Sequence, residues 1–168
     1  ADLDARAVEQ IGALGALEYA SYRDQRRMLA GKALVEAARG FEILVTEIDV
    51  VDADSIAALG ELRVVASCRG DAVNVDVDAC TLFGIPVLNA PGRNADAVAD
   101  LAVAFALMLS RKLAGATQFL RAGDIEAGDM GRMGQAFGAF RGRELWGSTV
   151  GLVGLGAVGR KTAERLRG

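Results

Sequence analysis

Apolar positions recur in two alternating rhythms through the first ninety residues. Residues 3–14 carry them at helical spacing, and residues 17–22 make a short strand candidate. Residues 25–39 read as an amphipathic helix that stops at Gly40, because glycine enters the left-handed conformation that ends helices without a Cβ penalty. Residues 41–46 (FEILVT) form a compact apolar strand, and Asp54 and Ser55 open a short helix that ends near Gly60. A second apolar strand covers 62–67 (LRVVAS), a short helix covers 75–83, and a third strand covers 85–88 before the Pro91-Gly92 turn. Unbroken Val/Ile/Leu strands lack the in–out alternation of a sheet with one wet face. Separated by helices, they predict an α/β fold with a parallel sheet covered on both sides. A doubly wound sheet usually begins with a central strand, so a strand preceding the first helix is expected to complete this domain.

The longest predicted helix spans 94–113. Asn94 can cap it, and Val98, Leu101, Ala102, Phe105 and Leu109 share one face. Leu107 and Met108 make the other side apolar too, so the helix is expected to be covered on both sides. Its apolar run, 101–109, is about half the length that spans a bilayer. Residues 114–147 are rich in glycine and read as a long irregular loop leading into a second domain, since 13 of the 21 glycines lie from Gly115 onward.

Residues 148–153 (STVGLV) are a strand candidate, followed at once by Gly154-Leu155-Gly156-Ala157-Val158-Gly159 and a helix pattern from Ala157. A G-x-G-x-x-G loop between strand and helix is the signature of a dinucleotide site. Gly154 permits the tight turn, Gly156 lets backbone approach a pyrophosphate, and Gly159 lets helix and strand pack closely. Ala157 and Val158 contribute backbone N–H groups at the positive end of the helix. The competing account is a glycine-rich turn with no ligand. The acidic residue that distinguishes NAD from NADP falls about twenty residues beyond the glycines, past Gly168. A single strand and helix do not complete a nucleotide-binding half, so the chain reads as a piece of a longer protein.

Composition narrows the function. With 52% hydrophobic and 24% charged residues the chain is globular, and a net charge of -3 argues against nucleic acid and anionic membrane as partners. Cys68 and Cys80 have no metal-ligand pattern and suggest no disulfide framework, and no export leader is visible, so a reducing cytoplasm is expected. No metal site is expected. The chain has no histidine, so any mechanism that uses an imidazole for proton transfer draws it from elsewhere.

Several ordered segments resemble the D-isomer-specific 2-hydroxyacid dehydrogenases, a family that includes D-3-phosphoglycerate dehydrogenase. They are Leu62-Arg63-Val64-Val65-Ala66-Ser67-Cys68-Arg69-Gly70, Val73-Asn74-Val75-Asp76, Gly84-Ile85-Pro86-Val87-Leu88-Asn89-Ala90-Pro91-Gly92-Arg93-Asn94, Ala97-Val98-Ala99-Asp100, and Gly142-Arg143-Glu144-Leu145-Trp146-Gly147 leading into the Gly154 loop. The resemblance runs from about residue 40 to the end. It implies a flavodoxin-like doubly wound catalytic domain over 1–93, followed over 94–168 by a crossover helix, the long loop and the start of a Rossmann NAD(P)-binding domain. The implied activity is hydride transfer between NAD or NADP and a small 2-hydroxy or 2-oxo acid, with phosphoglycerate and hydroxypyruvate as candidates, in a homodimer.

By the same resemblance, backbone N–H groups at Arg69, Gly70 and Asp71 face the substrate carboxylate. Asp71 departs from the glycine usual there, and its carboxylate would repel an acid substrate unless it points away. Asn94 touches substrate or cofactor, or serves only as a helix cap. Arg93 attracts an anionic substrate or is merely solvated. Val98 packs near the nicotinamide or simply in a core. The family's catalytic arginine, glutamate and histidine all follow the glycine loop, so no catalytic residue is assigned within 1–168. The alternative function is a dinucleotide-sensing interaction protein of the corepressor type on the same fold.

Overall fold

The computed structural model describes residues 2–123, 126 and 128–167, and the chain divides into two compact units, Ala1–Arg93 and Asn94–Gly168. The first unit is built on a parallel sheet of β1 (Ile43–Thr46), β2 (Val64–Ser67) and β3 (Val87–Leu88), in the order β1-β2-β3. Ile43 pairs with Val64, and Val65 with Val87. Around the sheet lie α1 (Ala5–Gly12), α2 (Tyr22–Gln25), α3 (Gly31–Ala38), α4 (Ala53–Ala58) and α5 (Val77–Leu82). A helix between parallel strands returns the chain to the same end of the sheet, and α4 and α5 each contribute to one core. Leu34 of α3, Ile56 of α4, Cys80 of α5 and Val65 of the central strand are all essentially inaccessible to solvent. The expected α/β class with a parallel sheet is what forms.

Aspartates set the starts of three of these helices, α1, α4 and α5. Asp4, Asp52 and Asp76 each accept a hydrogen bond from the backbone N–H three residues on, which satisfies an otherwise orphaned donor. The cap of α4 is therefore Asp52, and the helix begins ahead of the predicted Asp54-Ser55 start.

Two predicted elements of this unit are replaced. Residues 17–22 form no strand, since nothing among the described residues pairs with them. Instead the Tyr19 hydroxyl accepts from the Leu3 N–H (3.0 Å), and Ser21 caps α2. The helix expected over 25–39 starts only at Gly31. Here Leu29 donates to Asp49 Oδ1 (2.8 Å), Val50 donates to the Leu29 carbonyl (2.9 Å), and Ala30 bridges Val50. These long-range bonds take the backbone groups that a first helical turn would have used. At the other end the helix stops ahead of Gly40, whose φ is 83°.

The second unit comprises α6 (Ala95–Ser110), α7 (Leu113–Arg121), α8 (Met130–Ala139) and α9 (Ala157–Leu166). The small side chains Ala95 and Ala99 are buried, and α9 packs on α6. Arg165 bonds Asp96 (3.0 Å) and Asp100, while Lys161 lies 3.8 Å from Asp96. The expectation that α6 is covered on both sides is not met: Leu101, Phe105 and Leu109 are 50%, 52% and 80% exposed. Small residues let a neighbouring helix approach, so the alanine face is the one that packs.

Of residues 114–147, 114–121 and 130–139 are helical in α7 and α8 rather than irregular, while 124, 125 and 127 lie outside the described residues. A Cβ on Gly115 would lie 3.0 Å from the Phe140 ring, and one on Gly142 would lie 2.5 Å from the Ser110 carbonyl. At these positions glycine marks close packing rather than disorder. Phe119 and Phe140 meet edge to face at 5.3 Å, and Arg132 stacks 4.4 Å above Phe119 and donates to its carbonyl (2.9 Å). Conversely, residues 148–153 are not a strand, for a strand requires a ladder and no described residue supplies one. Among the described residues, no helix is long and apolar enough to cross a membrane.

Candidate functional site

The three glycines of the loop in the second unit differ in their surroundings. Gly154 sits at φ 93°, where a side chain would be strained. A Cβ on Gly159 would fall 2.2 Å from the Gly154 carbonyl oxygen, so helix and loop touch through backbone alone. A Cβ on Gly156 would meet nothing within 4 Å. Glycine at 156 thus relieves no internal clash, and its bare surface faces open space in front of α9. No side chain caps this helix, and the first bond of its ladder runs from Arg160 N–H to the Gly156 carbonyl (3.1 Å). The N–H groups of Ala157, Val158 and Gly159 precede that bond and meet the helix dipole at its positive end. The Arg160 guanidinium donates to the Leu155 carbonyl (2.9 Å), which fastens the loop and adds a cation beside it. Sequence reasoning passed over Arg160, although its place directly after the last glycine was the available signal. Bare amides, an uncapped helix start and nearby positive charge fit a diphosphate.

In the first unit, Arg69, Gly70 and Asp71 form a turn at the carboxyl end of β2, where parallel sheets bind ligands. The Arg69 carbonyl accepts from Ala90 N–H (2.8 Å) and the Gly70 carbonyl from Asn89 Nδ2 (2.9 Å). A Cβ on Gly70 would lie 3.8 Å from the Ala90 oxygen, so the turn rests against residues 90–92. Beneath it, Ser67 donates to Asn74 Oδ1 (3.1 Å) and Asn74 Nδ2 donates to the Asp49 carbonyl (2.9 Å). With both carbonyls engaged, the N–H groups of Gly70 and Asp71 have no protein acceptor among the described residues. Such a turn can receive a carboxylate. All three residues are exposed.

Next to this turn lies a pair that the sequence did not reveal. Arg93 Nη2 contacts Glu47 Oε1 at 2.8 Å, with Glu47 15% and Arg93 45% exposed. Burial pushes the Glu47 carboxyl up, but bonds from Arg93 and the Asp2 N–H, with the Arg93 charge, outweigh it and hold the group below its ordinary value. The half-buried Cys68 thiol is raised by burial and further by Glu47, and Arg93 opposes this. Burial also raises Cys80. Both thiols are free, and no metal-binding cluster occurs among the described residues.

Asn94 stands at the start of α6, but its side chain makes no capping bond, so the helix-cap role fails. Only its carbonyl takes part, accepting from Val98 N–H (2.9 Å). Val98 is partly exposed rather than in a core.

A model of the D-isomer specific 2-hydroxyacid dehydrogenase catalytic domain matches residues 4–166. The chain is 36% identical over 143 residues to D-3-phosphoglycerate dehydrogenase of Mycobacterium leprae (strain TN), covering 85% of this chain and 24% of that protein. It is 35% identical over 136 residues to the glyoxylate reductase of Thermococcus litoralis, covering 80% and 40%. Its fold superimposes with a TM-score of 0.65 and 28% identity on the pyruvate reductase of Chlamydomonas reinhardtii, covering 82% and 38%. The chain spans less than half the length of these curated relatives.

Proposed function

Since the chain belongs to the D-isomer specific 2-hydroxyacid dehydrogenases, we propose that it carries the carboxylate turn and first phosphate loop of an NAD-dependent enzyme acting on a small 2-hydroxy or 2-oxo acid. Residues 1–93 act as the substrate domain and residues 94–168 as the beginning of the nucleotide-binding domain. The observation that carries this reading is the Gly154 loop, where a Cβ at Gly156 would meet no described atom within 4 Å in front of the uncapped α9. The amides of Gly156, Ala157, Val158 and Gly159 would hold the diphosphate, with Gly154 shaping the turn. Nicotinamide, when bound, supplies the hydride acceptor or donor.

The chain's own residues bind and orient. The Gly70 and Asp71 amides receive the substrate carboxylate, the Arg69 N–H being directed to Ser67 Oγ (3.4 Å), and the exposed Asp71 side chain can turn away to avoid repulsion. Asn94 and Val98 border the substrate and nicotinamide. Residues 1–168 contain no histidine, so the proton donor is not an imidazole of these residues. Hydroxypyruvate-like and phosphoglycerate-like acids are the candidate substrates. The free thiols suit a cytoplasmic enzyme, and the exposed apolar face of α6 suits a homodimer.

Titration of the complete protein with NADH and with NADPH, followed by nucleotide fluorescence, tests this. Saturable binding of NADH, tighter than that of NADPH, is expected. Tighter NADPH binding would reverse the nucleotide assignment, and indifference to both would remove the dehydrogenase reading.

A further inference from the structure

We propose that Arg93 is a specificity-determining residue that binds a second anionic group, a carboxylate or phosphate, carried by the substrate. The inference rests on the dehydrogenase reading and extends it to substrate class. Arg93 follows the 90–92 turn that supports Gly70, and its guanidinium reaches Glu47, the residue directly after β1. β2 lies between β1 and β3, so this ion pair spans the carboxyl end of the central strand, where the Arg69-Gly70-Asp71 turn begins. Cys68, one residue before that turn, feels the charges of both Glu47 and Arg93, which supports the same placement.

The pair is asymmetric in a useful way. Glu47 is largely buried, accepts from Arg93 through one oxygen and from the Asp2 N–H (3.1 Å) through the other. Arg93 engages it through Nη2 only and remains about half exposed. A guanidinium has five N–H donors in a rigid plane, so one anchored edge leaves another edge directed and available. An arginine serving only solubility needs no buried carboxylate to fix its direction. A 2-oxo acid whose first carboxylate sits on the Gly70 amides would present a second anionic group to this edge, and a planar bidentate contact would discriminate in its favour.

The test compares kcat/KM of the complete protein for oxaloacetate and 3-phosphohydroxypyruvate against glyoxylate and pyruvate, in native, Arg93→Gln, Arg93→Lys and Glu47→Gln forms. The native protein should favour at least one of the dianionic acids, and which one identifies the group. In Arg93→Gln the ratio of dianionic to monoanionic kcat/KM should fall about 30-fold, mostly through KM. Arg93→Lys should restore part of it, and Glu47→Gln should lower it by a smaller factor because the guanidinium loses its anchor. An unchanged ratio in Arg93→Gln, or a native preference for the monoanions, overturns the proposal while leaving the dehydrogenase reading standing. No turnover of any of the four acids with either nucleotide overturns both.

Discussion

At position 159 a single methyl group would sit 2.2 Å from the Gly154 carbonyl oxygen, closer than any Cβ contact in a relaxed protein. Helix and loop would have to separate, and overpacking of this kind costs about 1–3 kcal/mol. Gly159→Ala in the complete protein should therefore raise the NADH dissociation constant by about tenfold or more, as displaced amides lose their aim on the diphosphate. Fluorescence titration reads this directly, and an unchanged constant would mean that the loop holds no phosphate. Glu47 supports a second prediction at this scale. Its folded carboxyl lies below the ordinary value of 4.5, so the stability it contributes is present above that pH and is lost as pH falls through the lower folded value. Urea unfolding of native and Glu47→Gln proteins should accordingly differ near neutrality and converge in acid. Convergence in the opposite direction would contradict the ion pair.

Elements were legible where local pattern and tertiary packing agree. The three strands were read from their unbroken apolar runs, though only the central strand β2 is buried or half-buried along its length, Ile43 of β1 and Leu88 of β3 being exposed. The end of α3 was read from Gly40, whose positive φ few other residues adopt. The errors arose where partners distant in sequence decide. Residues 28–30 have good helical periodicity, yet Asp49 and Val50 draw Leu29 and Ala30 into other bonds. Residues 148–153 have strand composition but no ladder partner. The glycines of 114–147 suggested irregular chain, whereas Gly115 and Gly142 are sites of close approach, a role that spacing alone does not betray. The α4 cap shows the same limit at smaller scale, since three candidate cap residues lie within four positions and only geometry selects Asp52. Asp52→Ala should lower stability by about 1 kcal/mol, and Asp52→Asn by only a few tenths, because asparagine keeps the accepting oxygen. Denaturant unfolding would measure both, and equal losses would show that the capping bond to the Ser55 N–H (2.8 Å) is not what holds the helix start.

For the molecule as a whole, the candidate site was only partly visible in advance. The glycine loop could be named because backbone geometry dictates its residue types, and the Gly70 turn because the family resemblance implies it, whereas Glu47, Arg160 and the Asn74 network act through side-chain partners that no spacing rule specifies. Nor did periodicity say which face of α6 would pack. Leu101, Phe105 and Leu109 follow one another four residues apart and form an exposed apolar stripe, while the alanine face is buried. An exposed apolar stripe of this kind suits an interface, and a self-complementary helix face is the simplest means of building a two-fold dimer. The complete protein should sediment as a dimer. Phe105→Glu combined with Leu109→Glu should convert it to a monomer that still binds NADH, since neither residue belongs to the glycine loop and buried carboxylates facing each other across a two-fold axis repel. A native monomer, or a double variant that remains dimeric, would mean that the stripe is covered by something other than a second copy.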